Sequence, residues 1–493
     1  MTQPRPSDSV RAIIESAVPS IKVETVSTIP TKRLLIAFKV KLADKRTLLL
    51  NLLPPPSRLL RYEKWFVQSE AAVVEWLLRD VPQQQDRGAQ YLDEKFAGKQ
   101  PQGGSSIRRQ AAQSDSGNSV VVKGQLLSYL PTLIKHSSTP TENGSAFGLF
   151  EPTPGDPISS LGSPPTPAQR RSINFQKGRL IRYITNVTSP NGRFGQAAIV
   201  LEQFQVPEES QIAARETKLD FDGADGWKKT FHFLLEGILR DGEDRAVTMS
   251  YELVRTMFHK FGHLLDAVTT PRLVVCDADE DDIVLVSRSE KAQQKREHQD
   301  PDTSESGPTV KIELHDSSSG LQQSMGEDDA TILEITGLQD WSNCIFGDPL
   351  FATVFSHTTP EFERGFHQSH EAGKIKSPGQ TNKVEKEEDN DGSSGDQDED
   401  EEKQDIDIIE DPDNAPTRIL LYECYHATVA IVRQFYRPDA DSSEREIAAR
   451  RRLVAALAKL EHVDASEPVG KRHRRPSRND WPVKRPRGDT PVS

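Results

Sequence analysis

Apolar residues fall in blocks along this chain, and the gaps between the blocks constrain its fold more than any single motif does. The windows 83–118, 287–329 and 365–414 are rich in Gln, Gly, Ser, Asp, Glu and Lys. Segments of that composition bury too little apolar surface to offset the entropy of ordering them. They read as disordered insertions, as do residues 1–20 and the basic tail 464–493. With 35% hydrophobic and 28% charged residues over 493 positions, the chain reads as one core of roughly 300 residues assembled from separated pieces, ample for a single large domain.

The net charge of −13 is as uneven as the hydropathy. Residues 385–411 hold fifteen acids and two lysines, which alone gives −13. The remainder is near neutral, so nothing in the charge points to specific nucleic-acid binding by the folded part. The three cysteines, Cys276, Cys344 and Cys424, are sparse and unclustered, which argues against a disulfide framework or a structural zinc site and for a reducing compartment. Residues 1–15 lack a signal-peptide pattern, and no run of 18 apolar residues is present. The expectation is a protein without a membrane span, cytoplasmic, nuclear or both.

Between the gaps the hydropathy period switches. Ile21–Val26, Leu34–Leu42 and Thr47–Leu53 read as strands, the last ended by Pro54-Pro55-Pro56. Leu59–Leu78 turns helical, with Glu70 among its apolar residues, and further strands precede Glu151. Arg170–Val187, Trp227–Leu239, Tyr251–Leu265 and Ile419–Phe435 read as helices. Leu273-Val274-Val275 and Ile283–Val286 flank an acidic turn, 277–282, and read as a hairpin. A last helix is expected to start at a capping box, Ser443–Glu446, with an apolar stripe of Ile447, Val454, Leu457 and Leu460.

Two aspartates end apolar strands: Asp277 after Val274-Val275-Cys276, and Asp340 after Ile335-Thr336-Gly337-Leu338-Gln339. Strand ends hold carboxylates rigidly at the edge of solvent. Phosphoryl transfer uses such a pair, one to orient or deprotonate the attacking hydroxyl and one to hold magnesium on the phosphates. Isolated turn-forming aspartates look the same in sequence. The surrounding residues go further. Ile335-Thr336-Gly337-Leu338-Gln339-Asp340-Trp341 followed by Gly347-Asp348-Pro349, together with the loop from Val275 to Val286, resembles the fungal branch of the aminoglycoside phosphotransferase-like (choline kinase-like) family, over about Ile21 to Pro438.

That resemblance implies a two-lobed, protein-kinase-like α+β fold, with a small lobe over 21–151, a large lobe over 152–438 and a C-terminal helix over 439–463. It implies Asp277 as catalytic base, Asp340 and Asp282 as magnesium ligands, Glu70 as partner of the phosphate-binding lysine, and Glu151 in the segment that contacts the adenine of ATP. The acceptor would be a small-molecule hydroxyl. Several positions depart from the pattern. Asn51 stands where the lysine belongs, Val275 replaces a histidine, Asp282 replaces the metal-binding asparagine, and Thr28-Ile29-Pro30 lacks the phosphate-loop glycine. Each change weakens a cradle for a polyanion, and Lys39, Lys41 and Arg58 are candidate replacement cations. Two functions therefore stay open: an ATP- and magnesium-dependent phosphotransferase, or a catalytically degenerate, kinase-like scaffold that binds a protein partner.

Two peripheral signals complete the reading. The basic clusters Lys471–Arg475 and Lys484–Arg487 fit a bipartite import signal read by an import carrier, over 471–487. Val310-Lys311-Ile312-Glu313 and Ile406-Asp407-Ile408-Ile409 match patterns for attachment or strand addition of a small ubiquitin-like modifier.

Overall fold

The computed structural model of the protein describes residues 6–30, 33–80, 126–138, 145–205, 223–288, 332–367 and 408–463. The first lobe is an antiparallel five-stranded sheet in the order β1-β2-β3-β5-β4. Its strands are β1 (Val23–Thr28), β2 (Ile36–Leu42), β3 (Thr47–Leu52), β4 (Thr132–Ser137) and β5 (Phe147–Glu151). Two helices sandwich it. Residues 6–17, expected to be without structure, form α1 (Pro6–Ala17). Val10, Ile13 and Ile14 share one helical face through their three- and four-residue spacing, and all three are buried against Val23, Phe38, Val40, Leu42, Leu48 and Leu50. Alternation along β3 turns Leu49 and Asn51 to the opposite face, toward α2 (Phe66–Asp80).

The second lobe is mostly helical. Its helices are α3 (Pro167–Thr185), α4 (Ala197–Gln205), α5 (Trp227–Asp244), α6 (Tyr251–Phe261), α7 (Pro360–His367), α8 (Ala415–Tyr436) and α9 (Ser442–His462). Two small sheets hold its site-bearing loops. One orders β10 (Leu333–Leu338), β9 (Val284–Arg288) and β6 (Asp156–Pro157), and the other orders β7 (Gly195–Gln196), β11 (Cys344–Gly347) and β8 (Arg272–Val275). The hairpin expected from 273–286 is therefore absent. β8 pairs with β11 and β9 with β10, because the turn at 277–282 carries the chain from one sheet to the other.

One core cluster runs through this lobe, and its centre is polar as well as aromatic. Trp227 and Phe231 stack edge-on against Tyr422 and Phe351. Trp227 Nε1 donates to the Tyr422 hydroxyl at 2.7 Å, which donates to Asp348 Oδ2 at 2.7 Å. Arg418, fully buried on α8, sits 3.5 Å from the same carboxylate. Asp348 of the Gly-Asp-Pro segment is thus a structural anchor. Gly347 has to be glycine, since a Cβ there would lie 2.4 Å from the Trp227 ring.

Three edges of the expected organisation shift. The insertion placed at 365–414 is narrower: Gly365 and Phe366 lie in α7, Ile408 is buried in the core, and Glu410 accepts from Thr269 and Thr270. A buried Ile408 is unavailable for strand addition to a partner. The capping box at Ser443–Glu446 does not form. α9 begins one residue earlier, Glu446 turns outward to Arg450, and the N-terminal turn is organised by Asp439, which accepts from Ser442 and Arg445. On α9 the buried face is Ala449, Leu453, Ala456, Leu457 and Leu460, while Ile447 and Val454 are exposed. The windows 83–118 and 289–329, the motif at Val310–Glu313 and the tail from 464 lie outside the described residues.

Candidate active site

Where the two lobes meet, β3, α2 and the segment after β10 bring three sequence-distant polar groups together. Asn51 is fully buried on β3 and registers with Gly148 on β5. A Cβ at Gly148 would meet the Phe150 ring at 2.7 Å, while Glu70 Oε2 would lie at an ordinary contact distance of 3.8 Å. Asn51 Nδ2 donates to Glu70 Oε2 at 3.0 Å, and the Trp341 N–H donates to Glu70 Oε1 at 3.3 Å. The helix glutamate therefore reaches the residue standing in the lysine position and, through the backbone, the residue after Asp340. Burial and the adjacent Asp340 push the Glu70 carboxyl up to about 8, against the opposing pull of the Asn51 amide, the Trp341 N–H and Arg33.

Asp340 itself is buried with both oxygens engaged. Oδ1 accepts the Ser342 N–H at 2.8 Å, and Oδ2 lies 3.0 Å from Arg33 Nη1. The arginine and aspartate side chains are 5% and 8% exposed. Arg33 lies between β1 and β2, where a phosphate-binding loop would pass. It is held there because Leu34 and Leu35 pack against Phe66 and Val67 at the start of α2 and against Ala146 just before β5. None of the cations anticipated from sequence takes this place. Lys39 and Lys41 sit on the exposed face of β2, and Arg58 is exposed. Arg33 was missed because a single arginine in an irregular loop carries no periodic signal; only the two following leucines hint that the loop turns inward.

Asp277 is half-buried at the end of β8 and lines a cavity of about 180 Å³ with Tyr62, Tyr425, His426, Arg433 and Arg452. Burial, then Glu280 and Asp340, hold its carboxyl well above the usual range, which places Asp277 near Asp340 electrostatically. The acidic loop that follows is largely neutralised. Arg170 and Lys177 of α3 both bind Asp281, Lys177 also donates to the Asp279 carbonyl, and Thr353 donates to Asp279 Oδ1 at 2.8 Å. Asp279 and Asp281 are therefore scaffolding. Asp282 is half-buried beside Glu280, a residue that reaches solvent and whose carboxyl is raised by desolvation and by Asp282. Glu151 ends β5 with its side chain exposed, so only its backbone is placed to meet a ligand there.

Asp340, Glu70 and Asn51 thus converge, with Arg33 as a cation and Asp277 within electrostatic reach of Asp340, while the Glu151 side chain is exposed. In this state each oxygen of Asp340, the magnesium ligand that the resemblance implies, contacts one protein donor, and among the described residues no group of three or more metal-binding side chains occurs. The three cysteines are free and buried. No helix among the described residues is long and apolar enough to cross a membrane.

The β-sheet lobe and the helical lobe, with the strand-end aspartates between them, make a two-lobed α+β architecture. Some solved structures have a general likeness to the chain. They include a protein provisionally described as a fructosamine-3-kinase from Thermobifida fusca (12% identity, 91% of this chain and 99% of that one, TM-score 0.40). A protein provisionally described as an aminoglycoside phosphotransferase from Ralstonia eutropha aligns at 10% identity over 92% and 98%, TM-score 0.41. The macrolide 2'-phosphotransferase MphH from Brachybacterium faecium aligns at 12% over 90% and 98%, TM-score 0.38. Likeness at this level carries no residue role. No family model and no curated protein matches the sequence.

Proposed function

We propose that this chain is a catalytically degenerate, kinase-like binding module whose interlobe cleft works without a metal ion. The observation that carries the reading is the Arg33–Asp340 pair, which closes the carboxylate that a magnesium-dependent phosphotransferase would offer to its metal. A metal would have to displace Arg33 from this buried pair to reach Asp340. Asn51 adds a second reason, because a neutral amide supplies no charge to a polyphosphate.

A second reading keeps the chemistry: ATP and magnesium as cofactors, a small-molecule hydroxyl as acceptor, Asp277 as base and Asp340 with Asp282 on the metal. It is favoured by the opening of Asp277 onto a cavity. Thermal melting separates the two. On the first reading, millimolar ATP with magnesium leaves the melting temperature of the wild type unchanged. A rise of several degrees that needs magnesium and disappears in Asp340→Asn would overturn it and establish the second, since a ligand at one hundred times its dissociation constant stabilises by about 2.7 kcal/mol. The basic segment 471–487 supports a nuclear location through an import carrier, with protein partners met there. A fluorescent protein carrying residues 464–493 should concentrate in nuclei, and an even distribution would remove the proposal.

A further inference from the structure

The chain holds two Pro-x-x-Pro segments, Pro154–Pro157 and Pro164–Pro167. The fold treats them differently. In the first, Gly155 has φ +121°, a backbone state that interrupts an extended helix, and Asp156-Pro157 is paired with β9 as β6. The second lies in an exposed arch that joins β6 to α3.

Both ends of this arch are fixed. On the β6 side, Ile158 is buried in the core. The Ser159 N–H donates to the Asp281 carbonyl at 2.9 Å, and the Leu161 N–H to the Ile158 carbonyl at 3.3 Å. On the other side Thr166 caps α3. Its hydroxyl accepts the Gln169 N–H at 3.3 Å, and its own N–H donates to Gln169 Oε1 at 2.9 Å.

Between these anchors the backbone is held in the polyproline II state. Leu161 (φ −63°, ψ 139°) and Thr166 (φ −61°, ψ 161°) both have dihedrals of that kind. The rings of Pro164 and Pro165 fix φ, and Ser163, Pro164 and Thr166 are driven to extended ψ because each precedes a proline. With three residues per turn, Pro164 and Pro167 fall on one face, about 9 Å apart along the axis. Those two prolines are exposed, while Pro165 and Thr166 are half-buried. A Cβ built on Gly162 would meet nothing within 4 Å, so the arch also stands clear at its start.

We propose that the arch 162–167 is a docking site for a partner protein carrying an SH3-type domain, whose aromatic-lined groove takes the rings of Pro164 and Pro167. Such grooves recognise proline rings one turn apart on a polyproline II backbone that is already formed. Here the fold itself orders the segment from both ends, so docking loses little further conformational entropy. The site lies outside the interlobe cleft. The inference therefore goes beyond the proposed function and does not depend on what the cleft binds.

Binding of the purified full chain to an array of purified SH3 domains, without nucleotide or magnesium, tests it. At least one domain should bind with a dissociation constant of roughly 100 μM or tighter. The double variant Pro164→Ala, Pro167→Ala should weaken that binding about tenfold or more, and Pro164→Ala alone, at an exposed position outside any helix or strand, about threefold. The double variant Pro154→Ala, Pro157→Ala should leave it within about twofold, because that segment is not in the polyproline II state. Circular dichroism and thermal melting report that all three variants fold. No binding by any domain of the array, affinity unchanged in both arch variants, or an equal loss in the Pro154, Pro157 variant would overturn the inference.

Discussion

The two sides of the Asp277–Asp340 cleft are built on opposite terms. On the side of the sheet, every charge is matched: Arg33 on Asp340, Asn51 and the Trp341 N–H on Glu70, and the Ser342 N–H on Asp340. On the side of α8 and α9, Glu63 accepts from Arg437, and the neighbouring Arg433 lines a cavity. The sheet side of the cleft is closed upon itself, and the side of α8 and α9 opens onto a cavity. Charges paired within the protein make a structural joint, and charges that line empty space are open to other partners.

The largest test of this contrast is removal of the joint. Arg33→Met leaves Asp340 buried without its cation and should destabilise the protein by about 3–5 kcal/mol in denaturant unfolding. The double variant with Asp340→Asn should recover at least ~1 kcal/mol of that loss, since the two residues are in contact. If Arg33→Met costs under ~1 kcal/mol, the pair is not a joint and the contrast fails.

A smaller effect concerns Glu70. Its folded carboxyl sits near 8 against an ordinary value of 4.5, so the folded state keeps a proton that the unfolded chain has released. The corresponding stability is fully present below about pH 4.5 and is lost as pH rises through 8. Glu70→Gln should flatten the decline in stability between pH 5 and pH 9 by roughly a few kcal/mol. An unchanged slope would place that carboxylate in a more polar setting than its burial implies.

Smallest is the mirror experiment on the open side. Arg433→Gln gives up its hydrogen bond with Tyr62 and should cost only about 0.5–1 kcal/mol in the absence of ligand. A loss as large as that of Arg33→Met would show that Arg433 is structural, and would end the distinction between the two walls.

Much of the joint was legible in the chain because its parts lie on regular elements. Asn51 sits on a strand whose alternation fixes its face, Glu70 on a helix whose apolar residues fix its inner side, and Asp340-Trp341 directly after a strand. Their convergence follows once the lobes pack. Arg33 was not legible, because loop residues carry no period and its partner is over three hundred positions away. The false hairpin at 273–286 has a related cause. Two apolar strands about a turn are locally indistinguishable from a hairpin, and pairing is decided by which edges neighbouring strands offer.

The sequence by itself determined where the core segments lie, which residues start and end most strands and helices, and that the chain's acidity belongs to one window. Hydrophobic period and turn chemistry are local, and they act before the chain has any tertiary structure. Only the tertiary structure decided which charges meet. It set Arg33 on Asp340, Lys177 and Arg170 on Asp281, Arg418 on Asp348, and left Arg433 facing a cavity. Electrostatic partners are chosen by distance in space and by the burial that strengthens them, and neither quantity is written at any one position of the chain.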